Sequence, residues 1–225
     1  DAYGKQMAEH KFGNLKRNES VALTVNDLLK GEPLDGGFGH IELIYDFAVG
    51  REVDGWMHSL FRYVDRKSGH EAETSFGSHI FNTVLTYKNE PQSYAGKPPG
   101  LSTRLFLRVG PTHMSPLPLG ERQGEGLCDT FCHLVYPTST SWHGMSDTSL
   151  TLVSDKGEEV AKRNVQIPCS GSLLWRVSEM FTPAERKAAG QHCCVMIRDT
   201  TCRLFGYHGL VNGDAAFSLD HMFGF

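Results

Sequence analysis

The stretch TSLTLVSDKGEEVAKRNVQIPCSGSLLW, from Thr148 to Trp175, decides the fold. It reads as a strand with Leu150 and Leu152 on one face, a tight polar turn at Ser154–Gly157, a second strand and then a polar bend. A blurred copy, HSLFRYVDRKSGHEAETSFGSHIF from His58 to Phe81, lies about ninety positions earlier. Ser59-Leu60 matches Ser149-Leu150, and Asp65 matches Asp155 without a gap. An internal repeat of this kind predicts two similarly ordered groups of strands.

Working outward, period-two alternation places further strands at His40–Val49, Trp56–Asp65, Glu73–Leu85, Ser102–Val109 and Asp129–Tyr136. In the first of these, Ile41 and Leu43 fall on one face and His40 and Glu42 on the other. Leu105 and Leu107 are expected to point inward with Leu150 and Leu152. CCVMIRDTTCRLFGY, Cys193 to Tyr207, reads as one long strand or a bent pair, and the apolar tail GDAAFSLDHMFGF as packing back on the body. Helix signals are few. Thr182-Pro183-Ala184-Glu185 combines an N-cap, a proline at the first helical position and a capping glutamate, with Gly190 as the stop. Thr24 and Asp27 give a shorter capping-box shape before Gly31.

The expected fold class is therefore all-β, an antiparallel β-sandwich of two related halves with one or two short helices. Residues 1–37 form an arm and short helix, 38–111 the first half, 112–126 a linker rich in proline and glycine, and 127–225 the second half.

Composition narrows the function classes. The chain has 225 residues, 40% hydrophobic and 21% charged, which is enough apolar material for a sizeable core. A net charge of -4 argues against a nucleic-acid partner held by bulk electrostatics. No apolar run reaches the roughly 20 residues of a membrane span. The six cysteines are scattered and do not form a compact disulfide framework, which tilts the expected compartment toward the cytoplasm.

The second half resembles the immunoglobulin-like β-sandwich modules common in bacterial proteins. The likeness rests on Leu150, Leu152, Asp155 and Gly157, then Val165, Ile167, Pro168, Gly171 and Ser172, then Glu179 and Phe181. It implies a binding, adhesive or spacer element. The Cys…Trp…Cys spacing of antibody domains is absent.

Three sets of residues could carry function. Arg62, Arg104, Arg108 and Arg203 sit among apolar residues, where an unpaired charge is costly, so each either pairs with a carboxylate or grips a ligand. Trp56 and Trp142 lie at loop–strand junctions, and Tyr94 in the proline-rich loop Asn89–Gly100; flat aromatics beside polar groups suit sugars or apolar ligands. Eleven histidines form the third set, of which His58, His79, His133 and His208 fall on strands. His40-Ile41-Glu42 places two ligand types on one strand face, and His192 could complete a facial triad similar to that of iron- and 2-oxoglutarate-dependent oxygenases. No catalytic residue is assigned: GxSxG, HExxH and the phosphate-cradling glycine loop are all missing.

The sequence thus points to a module that binds a small molecule, glycan or protein and needs no cofactor. Its alternative is an oxygenase or lyase built on one transition metal (iron, copper or zinc).

Overall fold

The computed structural model describes residues 1–16, 18–43, 54–81, 101–106, 110–111, 127–136, 143–199, 204–212 and 216–222. At 54–57, 76–81, 101–106, 110–111 and 127 the description covers backbone alone. Among the described residues strands outnumber helices twelve to three, which establishes a mostly β chain.

The strands are β1 (Asp54–Val64), β2 (Glu71–Phe81), β3 (Leu101–Phe106), β4 (Gly110–Pro111), β5 (Leu127–Val135) and β6 (Thr148–Val153). They continue with β7 (Glu159–Val165), β8 (Ser172–Arg176), β9 (Cys194–Asp199), β10 (Phe205–Asn212), β11 (Ala216–Phe217) and β12 (Asp220–Met222). β1 and β2 form a two-stranded antiparallel hairpin. A four-stranded sheet runs β3-β9-β6-β7. A six-stranded sheet runs β11-β10-β5-β4, with β12 also on β10 and β8 also on β5. All of these pairings are antiparallel.

The Thr148–Trp175 stretch folds as its pattern predicts. Ser154 accepts from the backbone N–H groups of Lys156 and Glu158 through its Oγ, closing the turn between β6 and β7. Leu150 and Leu152 are fully buried. They join Cys132, Leu134 and Tyr136 from the β5 side, Trp175 of β8, and Val195 and Ile197 of β9 in one core cluster. Side chains of the four- and six-stranded sheets therefore share an apolar interior, the dominant stabilising term in any such chain.

A buried polar line runs beneath this core. Ile167 N–H donates to Ser146 Oγ at 2.9 Å, and Thr148 donates to Asp199 Oδ2 at 2.5 Å. Because Thr148 spends its hydrogen on Asp199, the 2.8 Å contact between Ser146 and Thr148 must run from serine to threonine. Asp129 plays a similar part, accepting from Ser178 Oγ at 2.5 Å and so fixing the helix Val177–Met180 against β5.

Several expectations need correcting. His40–Leu43 is not part of a ladder, and the buried side is the polar one: Ile41 and Leu43 are exposed while His40 and Glu42 are largely covered. The remainder of that expected strand lies outside the described residues. Cys193–Tyr207 holds two strands rather than one, β9 in the four-stranded sheet and the start of β10 in the six-stranded one. Among the described residues there are three helices rather than one or two. The helix Pro183–Ala189 has the full expected box, with Thr182 Oγ1 accepting from Glu185 N–H and Glu185 accepting from Thr182 N–H. The helix Val25–Leu29 follows Thr24, but that side chain makes no capping bond. Val177–Met180 is a single turn that sequence signals did not mark.

Strands on both sides of the expected 112–126 linker share sheets: β3 pairs with β9, and β4 with β5. The arm is also tied down, with Ala2 N–H donating to the Asp35 carbonyl and Ser172 N–H to the Ala2 carbonyl. No helix among the described residues is long and apolar enough to cross a membrane.

Candidate functional site

β5 alternates, and its two faces do different work. Cys132 and Leu134 enter the core, while Phe131 and His133 point to the opposite face and line a cavity of about 150 Å³. Register assembles the rest. Tyr207 of β10 and Leu174 of β8 both stand directly across from His133, giving a row Tyr207–His133–Leu174 over three strands. Phe217 of β11 and Leu219 close one end, and Tyr63 of β1 brings the hairpin to the wall.

Ser218 fixes that end. Its N–H donates to the Leu210 carbonyl at 2.9 Å, and its Oγ accepts from Leu210 N–H at 3.1 Å. The neighbours Phe217 and Leu219 are thereby pinned to β10. Gly209 of β10 lies opposite Phe131 in the ladder. A Cβ there would come within 2.8 Å of the Phe131 ring, so glycine makes the room that the ring occupies.

The polar groups around the cavity are held neutral. Burial, reinforced by the nearby His40, lowers the His133 imidazole to about 4. Burial, with a contribution from Tyr207, raises the Tyr63 phenol to about 12, and burial raises Tyr207 as well. Neither phenol makes a hydrogen bond to another described residue. Phe38 stands edge-on to His133, with ring centroids 5.5 Å apart at 85°.

His40 lies beside this site. Its Nε2 is 3.2 Å from Glu42 Oε1, and since a carboxylate only accepts, Nε2 carries the hydrogen. That leaves His40 Nδ1 buried without a partner among the described residues, and His133 Nε2 is in the same state. Such orphaned nitrogens are uncommon in native interiors.

From the expected metal set, the structure places His40 against Glu42 and within electrostatic reach of His133. His192 sits exposed in the turn after the helix Pro183–Ala189, His58 is exposed on β1, and His208 is half-buried on β10 opposite Asp220. Among the described residues no three His, Cys, Asp or Glu side chains gather so as to hold a metal ion, so His40, Glu42 and His192 do not form a triad. His79 faces Trp56 across the β1–β2 ladder, and only the backbone of each is described.

Arg62 is at the surface, 3.8 Å from Glu71. Arg104 pairs in register with Met196. Tyr94, Arg108, Trp142 and Arg203 lie outside the described residues.

Sequence reasoning passed over Phe131, Leu174, Tyr207, Phe217 and Leu219. The one available signal was the alternation within LCDTFCHLV, which sets Phe131 and His133 opposite Cys132 and Leu134. Arg163 was also missed: it holds both carboxylate oxygens of Glu185, at 2.7 and 2.8 Å, and lies 5.4 Å over the Phe181 ring.

Compared with family models, curated proteins and solved structures, the chain matches none.

Proposed function

We propose that the chain is a binding module of β-sandwich type, its four- and six-stranded sheets forming the two layers, and that it takes a small molecule on the outer face of the six-stranded sheet. The core cluster drawn from both sheets supports the layered reading. The corresponding hairpins β1–β2 and β6–β7 are what supports two related halves, and with them the likeness to immunoglobulin-like modules. The cavity lined by Phe131, His133, Leu174 and Tyr207 carries the functional reading. A pocket of about 150 Å³ accepts a benzene-sized ring, and concave apolar sites with a few polar groups are the usual form of a small-molecule site.

The choice of a small molecule over a glycan or protein follows from size and from the wall, since Phe131, Leu174, Phe217 and Leu219 offer no side-chain polar atom. The test is a ligand-observed NMR screen of single-ring compounds against the protein and against Leu174→Trp. Leu174 is 41% exposed, so tryptophan can be accommodated and fill the space. Saturable binding that Leu174→Trp abolishes is the expected result. Absence of any ring that binds this face would overturn the reading. Elemental analysis of the same sample addresses the rival expectation: near-stoichiometric iron, copper or zinc would favour a metal-dependent oxygenase or lyase.

A further inference from the structure

We infer that the ligand is a neutral hydroxylated aromatic ring, of which phenol is the simplest, seated with its hydroxyl among Tyr63, His133 and Tyr207. This rests on the binding reading above and narrows it to a ligand class.

Three observations carry the inference. First, the volume admits one six-membered ring and little more. Second, none of the side chains that line the cavity bears a charge at neutral pH. A carboxylate or ammonium group entering it would give up part of its hydration with no counter-charge in the lining to replace it, which is unfavourable. Third, Tyr63 and Tyr207 line the cavity beside the His133 imidazole, and these three are the polar side chains of a lining otherwise made of Phe131, Leu174, Phe217 and Leu219. A single hydroxyl both donates and accepts, so it can satisfy one phenol and a second partner at once. A pyranose would bring several hydroxyls against walls formed largely by Phe131, Leu174, Phe217 and Leu219, and most of those hydroxyls would be buried unpaired.

The experiment titrates phenol, toluene, benzoate and methyl glucoside into the full chain, following backbone and aromatic NMR signals. Phenol is expected to shift the signals of Phe131, His133 and Tyr207 saturably. Toluene, which keeps the ring and loses the hydroxyl, should bind roughly ten times more weakly, the factor that one net hydrogen bond supplies. Benzoate and methyl glucoside should not compete. Tyr207→Phe removes one hydroxyl at constant shape and should bring phenol close to the toluene level while leaving toluene unchanged. Equal affinity for phenol and toluene, or a preference for benzoate or the glucoside, overturns this inference and leaves the cavity as a binding site. Failure of all four probes, with the spectrum otherwise that of a folded chain, counts against the binding site itself.

Discussion

Phe131 of β5 occupies the space that Gly209 of β10 leaves empty, with Gly209 directly opposite it in the ladder. A Cβ at position 209 would meet the ring at 2.8 Å, and the Ser218 carbonyl would be closer still. Gly209→Ala is therefore expected to destabilise the fold by about 1–3 kcal/mol or more, as overpacking does, and to deform the cavity. Urea unfolding measures the first effect. The second is read as lost ligand binding under conditions where the variant remains folded. An unchanged midpoint would contradict the close approach.

Thr148 joins Ser146 to Asp199 by accepting from one and donating to the other. Thr148→Val keeps the shape and removes both bonds, leaving polar atoms buried with less than they need. The expected loss is about 1–3 kcal/mol. Ser149→Val, a neighbour that is only half-buried, is the comparison and should change far less.

His133 predicts how stability follows pH. Its folded value is near 4 because of burial and the adjacent His40, while an unfolded histidine titrates at about 6.5. Between those values the unfolded chain holds a proton that the folded chain does not. Stability is thus fully present above about 6.5, falls as the pH drops toward 4, and gains no further loss from this residue below that, for a total of roughly 3 kcal/mol. His40, Tyr63 and Tyr207 are the titratable neighbours, and both tyrosines stay neutral across this window. His133→Phe should flatten this acid slope, whereas His192→Phe, in its exposed turn, should leave it intact.

Thr182 caps the helix Pro183–Ala189 through the reciprocal bonds with Glu185. Thr182→Ala should cost about 1 kcal/mol. Arg163, and then the Thr182 backbone N–H, hold the Glu185 carboxyl below the usual carboxylate range. That contribution is present above the ordinary value and disappears as pH falls through the lowered one, so Glu185→Gln should weaken the acid dependence of unfolding. Thermal melts at several pH values check both variants.

The parts of the fold that were legible in the sequence are those governed by neighbours along the chain. Leu150 and Leu152 declare their face by alternation, and Thr182-Pro183-Glu185 declares a helix start within four residues. His40 and Glu42 were legible as sharing one face, but not as the covered face. Hydrophobicity favours Ile41 and Leu43, whereas His40 and Glu42 are the covered pair and His40 lies near His133, a residue far away in sequence. The cavity was illegible for a stronger reason. Phe131, Leu174, Tyr207 and Phe217 come from four strands, and the ladder register that aligns them is a property of the assembled sheet. The separation of β9 from β10 was hidden likewise, because both read as apolar extended chain.

β5 supports the interior with Cys132 and Leu134 and the cavity with Phe131 and His133. An occupant of the cavity consequently leans on a strand whose other face is built into the core. Occupancy should then register as a higher melting temperature: by mass action, a ligand at one hundred times its Kd adds about 2.7 kcal/mol to the unfolding free energy. Unlabelled protein and a heating ramp would be enough to rank candidate rings.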